Sequence, residues 1–86
     1  MNLTKRTDQE LRALQGEAVN RCLEAVDQAR EINVLLCGLD VSAVAEYQAL
    51  DQRWRVLIAE AQRWGDLVPR VTVELERRAQ ARLTNA

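Results

Sequence analysis

The strongest pattern in the chain is an apolar repeat that runs from Val41 to Val68. Its members recur at alternating steps of four and three residues: Ala43, Tyr47, Leu50, Trp54, Leu57, Ala61, Trp64 and Val68. A repeat of 3.5 residues is typical of a helix that packs lengthwise against other helices. Both tryptophans and the only tyrosine lie on it. We therefore predict a helix over residues 41–64, with a seam of large side chains that forms either core or protein interface: Tyr47, Leu50, Trp54, Leu57 and Trp64.

A second amphipathic stretch precedes the first and predicts a helix over residues 8–37. Thr7 and Glu10 have the spacing of a capping box, in which each side chain accepts a hydrogen bond from the other residue's backbone amide. Gly38 suits a left-handed residue that ends the helix. The connection from Gly38 to Asp40 is short, and short connections make antiparallel neighbours. The apolar stripe of this helix is Leu11, Leu14, Ala18, Cys22, Ala25, Ala29, Ile32 and Leu36.

The C-terminal segment predicts a third, shorter helix over residues 67–84. Gly65 fits the end of the second helix, and Pro69 fits the first turn of a new helix capped by Asp66. A single kinked helix running through Pro69 is the alternative. The predicted fold is all-α in one domain, 1–86: an antiparallel hairpin of two long helices plus the third, as a three-helix bundle or a dimeric helical bundle. Whether residues 67–84 pack on the hairpin or extend away stays open.

The composition limits how large a core this chain can build. Apolar residues make up 48% of the 86, but 12 of them are alanines and none is phenylalanine. Alanine lets helices approach closely but buries little area. A chain of this kind often needs an oligomer partner or a bound protein, so the aromatic seam has two interpretations, as core and as binding hot spot.

The residues needed for most chemistry are missing. The chain has no histidine, and its three glycines are isolated, so neither a histidine-based catalytic site nor a phosphate-binding loop is expected. Cys22 and Cys37 would lie roughly 22 Å apart on one helix, at about 1.5 Å per residue. That separation is too long for a disulfide, and the spacing is not that of a zinc site. We expect no enzyme activity, no metal and no cofactor.

Charge and hydropathy give the remaining expectations. The net charge of −1 argues against nucleic-acid binding. The residues from Met1 to Glu10 lack the apolar core of a secretory signal, and no apolar run is long enough to cross a membrane. A cytoplasmic protein without a membrane partner is therefore expected. The one candidate basic contact surface is the C-terminal cluster Arg70, Arg77, Arg78 and Arg82.

One layout is similar to that of a known family. A helix, a short loop with Gly38 and Asp40, and a second helix that begins near Tyr47 and Gln48 resemble the small co-chaperones that help hold type III secretion needle subunits. The resemblance covers about residues 8–64, and the segment from Pro69 departs from it. It implies a helical hairpin that binds a protein.

These observations favour a non-catalytic helical protein that binds a protein partner or forms a homodimer. By analogy with other small chains that lack catalytic motifs, we expect an inhibitor or adaptor of a larger protein machine, such as a phage- or plasmid-encoded inhibitor of the anti-CRISPR kind. A secretion co-chaperone and a small DNA-binding transcriptional regulator that uses the arginine cluster are the alternatives.

Overall fold

The protein is a helical hairpin, as seen in a computed structural model that describes residues 2–85. A short 3₁₀ helix, Leu3–Lys5, precedes two long helices, α1 (Asp8–Cys37) and α2 (Val44–Asn85). The two helices pack against each other in antiparallel orientation, which confirms the all-α prediction and the predicted pair of long helices.

The ends of α1 show one correct and one wrong prediction. At the N-terminus, Thr7 Oγ1 accepts from the Glu10 amide at 3.1 Å, and Glu10 Oε1 accepts from the Thr7 amide at 3.2 Å. This reciprocal pair confirms the capping box. At the C-terminus, Gly38 has a right-handed conformation, with φ −89° and ψ −5°. The prediction of a left-handed residue there is wrong, because the Gly38 amide closes a last turn on the carbonyls of Val34 and Leu35.

The predicted third helix over residues 67–84 is not a separate element. Helix α2 runs without interruption from Val44 to Asn85, through Gly65 and Pro69. A proline inside a helix removes one hydrogen bond and costs about 3 kcal/mol. Packing after the proline offsets this cost, since the four-three repeat continues in register beyond Val68: Val71, Leu75, Arg78 and Arg82. The connection to α1 is also longer than expected, because α2 begins at residue 44 and not at residue 41.

The best-packed core lies at the open end of the hairpin, in the segment for which the sequence predicts a third helix. Leu11 and Val71 are completely buried, and Leu14 packs with them. Three half-buried leucines surround this cluster: Leu3, Leu67 and Leu75. Residues 67–75 therefore pack on the hairpin, and the last turns of α2 extend past the start of α1.

The hairpin is long and thin for its size. Its principal extents are 68 × 18 × 15 Å, and its radius of gyration is 18.8 Å, where a compact chain of 86 residues has about 12 Å. Its accessible surface is 6453 Å², where a compact monomer of its mass has about 5,200 Å². An isolated hairpin thus leaves about 1,300 Å² of surface that a compact fold of this mass would bury.

Candidate protein-binding surfaces

The five residues of the predicted seam are spread over the length of the hairpin and are only partly covered. Leu50, Trp54, Leu57 and Trp64 are half-buried between the helices, and Tyr47 is 51% exposed. The Arg21 guanidinium lies 5.6 Å from the centre of the Trp64 ring, within the range of a cation–π interaction. These side chains therefore contribute to the hairpin's packing and also offer area to a partner.

The closed end of the hairpin carries a group of exposed apolar side chains, which we call the tip surface: Val34, Leu35, Val41, Val44 and Tyr47. Val41 is 96% exposed in the loop, and Val44 is 58% exposed in the first turn of α2. Beside them lies a groove of about 410 Å³. Its lining is mainly apolar: Leu36, Leu39, Asp40, Val41, Ala43, Val44 and Tyr47.

The sequence around the tip surface is acidic, and the nearest basic residues are Arg30 and Arg53. Between residues 31 and 52 the chain contains four carboxylates and no lysine or arginine: Glu31, Asp40, Glu46 and Asp51. Asp40 also orders the loop, where its side chain accepts from the Ser42 amide at 3.3 Å and its carbonyl from the Ala43 amide at 3.0 Å. The tip therefore combines exposed apolar area with negative charge.

One broad face of the hairpin is formed by both helices, and two contacts between α1 and α2 show where it lies. Gln15 Nε2 donates to Thr72 Oγ1 at 2.6 Å, and Cys22 Sγ lies 3.6 Å from the position that a Cβ on Gly65 would take. Helical periodicity extends this face along both helices. We call it the uncharged face, because its central members include no Asp, Glu, Lys or Arg: Gln15, Val19, Cys22 and Val26 on α1, and Ile58, Ala61, Gly65, Val68 and Thr72 on α2.

The opposite face of the hairpin is charged over the same length. Its position is marked by the Arg21–Trp64 contact and by a small groove that Arg21, Glu24 and Glu60 help to line. Arg63 and Arg70 lie farther along α2 beside Trp64. The hairpin thus has two chemically different sides.

The predicted basic cluster is largely engaged within the chain. Arg78 lies 2.9 Å from Asp8 and 3.0 Å from Glu74, and it also donates to the Leu3 carbonyl. Arg77 pairs with Glu74 at 2.8 Å, and Arg82 pairs with Asp8. Arg70 has no ion-pair partner among residues 2–85. The structure therefore brings Arg77, Arg78 and Arg82 together around two carboxylates.

These carboxylates are strongly perturbed by their arginine partners. Hydrogen bonds from Arg82 and Arg78 lower the pKa of Asp8 from its ordinary 3.8 to about 2. Hydrogen bonds from Arg77 and Arg78 outweigh the effect of burial and lower the pKa of Glu74 from 4.5 to about 2. Sequence reasoning did not select either acid. The available signal was the heptad repeat, which places Arg78 and Arg82 on the side of α2 that faces α1.

The described residues do not gather the groups that metal chemistry needs. Within 2–85, no three His, Cys, Asp or Glu side chains are placed to hold a metal ion. Cys22 and Cys37 are both free thiols. Neither of the two helices contains a stretch long and apolar enough to cross a bilayer.

Comparisons with protein families, with characterised proteins and with solved structures found no match to this chain.

Proposed function

We propose that this protein is a non-catalytic helical hairpin that binds a larger protein through the tip surface and acts on it as an inhibitor or adaptor. The observation that carries the proposal is the exposure of Val41, Val44 and Tyr47 around one groove. Exposed apolar residues grouped beside a groove and bordered by charge are typical of protein–protein contact sites. Tyrosine is also among the residues that most often dominate binding energy.

The chemistry of the tip surface favours one kind of partner. An apolar groove accepts the apolar side of an amphipathic helix. The acidic border, which includes Asp40 and Glu46, favours basic residues beside that apolar side and repels nucleic acid. The expected occupant is therefore a basic amphipathic helix that belongs to a larger protein.

A secretion co-chaperone is the second candidate, and one observation favours it. Asp40 and Tyr47, two of the residues that carry the resemblance to that family, line the same groove. A small DNA-binding regulator ranks below both, because Arg77, Arg78 and Arg82 are already paired with Asp8 and Glu74. The identity of the bound protein distinguishes the first two candidates.

Site-specific photo-crosslinking in the cells that naturally produce the protein tests the proposal. A photoreactive residue at position 41 reports on the tip surface. The same residue at position 73 is the matched control, because Val73 is also an exposed valine, at 63%, and lies near the other end of the hairpin. We expect one crosslinked protein from position 41 and none from position 73. Equal crosslinking from both positions, or none from position 41, would contradict the proposal.

Binding of the identified partner, once purified, should then depend on both features of the tip. We expect Tyr47→Ala to weaken binding at least tenfold in isothermal titration calorimetry, because the ring supplies area at the edge of the groove. We expect Glu46→Lys to weaken binding more strongly at low salt than at high salt, since salt screens the charge effect. Binding that is unaffected by both substitutions would place the contact elsewhere.

A further inference from the structure

We propose that the groove beside Trp64 binds an acidic segment of a second protein, in which apolar side chains are flanked by two carboxylates. This groove lies on the charged side of the hairpin and has a volume of about 420 Å³. It is lined by Arg63, Trp64, Leu67 and Arg70. The inference goes beyond the proposed function, since it concerns a different surface from the tip and a partner segment of the opposite charge.

The lining of the groove combines apolar area with two basic groups at a fixed spacing. Trp64 and Leu67 are half-buried, so that each offers apolar area while it stays anchored in the hairpin. Arg63 and Arg70 are exposed and lie two helical turns apart, which separates their Cα atoms by roughly 10 Å. An extended peptide spans this distance with carboxylates three residues apart, at about 3.3 Å per residue. The two residues between the carboxylates would then lie over the apolar part of the groove.

Neither arginine of the groove has an ion-pair partner among residues 2–85. Glu74 lies four residues after Arg70, a spacing at which side chains of one helix meet, but it is held by Arg77 at 2.8 Å and by Arg78 at 3.0 Å. Asp66 is exposed and does not line the groove. The two guanidinium groups can therefore donate to carboxylates of another chain, and such pairs are among the strongest hydrogen bonds in proteins.

The same groove is poorly suited to nucleic acid. A base would need a free face of the Trp64 ring on which to stack, but the Arg21 guanidinium already lies over this ring, 5.6 Å from its centre. The chain as a whole has a net charge of −1, and its acidic tip repels phosphates. An acidic peptide needs no stacking and uses both arginines together with Leu67.

A titration of the isotope-labelled chain with a Glu-Leu-Leu-Glu peptide, followed by nuclear magnetic resonance, tests the proposal. The indole N–H signal of Trp64 should shift, whereas that of Trp54, ten residues away on the same helix, should stay in place. A Gln-Leu-Leu-Gln peptide and a Glu-Ser-Ser-Glu peptide should each bind at least tenfold more weakly, because one lacks the charges and the other lacks the apolar side chains. Binding of the first peptide should also weaken with added salt, which screens exposed charges.

Substitutions of the arginines assign the contact to this groove. Arg63→Gln and Arg70→Gln should each weaken binding of the Glu-Leu-Leu-Glu peptide at least fivefold. Arg53→Gln is the matched control and should bind like the wild type, because Arg53 is also an exposed arginine of α2 but lies about 15 Å from Arg63. All three side chains are exposed, so the midpoint of thermal unfolding should stay unchanged and a loss of binding would not reflect unfolding.

The outcomes separate this proposal from binding at the tip. An unshifted Trp64 signal with the peptide at millimolar concentration, or equal binding of the glutamine peptide, would overturn it. Tighter binding of a single-stranded oligonucleotide would assign the groove to nucleic acid instead. Self-association of the chain that is lost in Arg63→Gln would assign it to the acidic tip of a second copy. Crosslinking from position 41 to a larger protein depends on none of these results.

Discussion

Substitution of Val71 by alanine tests the central feature of this fold, which is that the segment after Pro69 forms the best-packed part of the core. Val71 is completely buried against Leu11 and Leu14. Val73, two residues later on the same helix, is 63% exposed. The substitutions Val71→Ala and Val73→Ala therefore make the same chemical change in the same helix, once at a buried site and once at an exposed site.

The expected difference follows from the methyl groups removed. Valine to alanine deletes two carbon groups, each worth about 0.8 kcal/mol when buried, and the cavity that remains adds to this loss. Alanine improves helix propensity by a few tenths of a kcal/mol, but this gain is common to both variants and cancels in the comparison. We expect Val71→Ala to be less stable than Val73→Ala by about 2 kcal/mol.

Urea unfolding followed by far-ultraviolet circular dichroism measures this difference. For a domain of this length, about 2 kcal/mol also corresponds to a fall of roughly 8–16 °C in the midpoint of thermal unfolding. All variants must be compared at one protein concentration, since association makes stability depend on it. If the two variants unfold together, residues after Pro69 do not pack on α1, and the separate third helix expected from the sequence would be restored.

Three further predictions concern Pro69, the ion-paired acids and the two cysteines. Pro69→Ala should stabilise the chain by up to about 3 kcal/mol in urea unfolding, because it restores a helix hydrogen bond; unchanged stability would indicate that the helix is broken there. Asp8 and Glu74 have a pKa of about 2 when folded, below their unfolded values, so their contribution is complete above about pH 5 and is lost as the pH falls towards 2. Asp8→Asn should therefore flatten the stability profile across this acid range, and an unchanged profile would contradict the ion-pair network. Cys37, which is exposed, should react with a thiol reagent faster than Cys22, which is half-buried; equal rates would argue against the packing of Cys22 beside α2.

The hairpin itself could be predicted from the sequence because its signals are local or periodic. Thr7 and Glu10 fix the start of α1 through their spacing alone, and the four-three repeat defines the buried side of α2. The predicted break at Gly65 and Pro69 is wrong for a physical reason. Glycine and proline are local signals for the end of a helix. The helix nevertheless continues here because Val71 packs against Leu11 and Leu14, which are distant in sequence.

The difference between local signals and long-range contacts also explains the outcome for the basic cluster. The arginines were selected as a basic patch because they are close in sequence, but Asp8, which neutralises two of them, comes from the other end of the chain. A single sequence offers no rule for pairing residues 70 positions apart. The repeat through Arg78 and Arg82 does place them towards α1, so a continuous helix, once assumed, would have predicted acidic partners near the start of α1.

The stretch from Val41 to Val68 has an exposed part and a buried part, which its regular apolar repeat does not distinguish. Near its start, Tyr47 is 51% exposed and lines a groove together with Asp40 of the loop. Farther along, Ala61 is buried between the helices, and Gly65 lies close to Cys22 of α1. The two parts therefore differ in what they expose: the start of the stretch leaves apolar side chains uncovered beside carboxylates, whereas the later part is covered by α1.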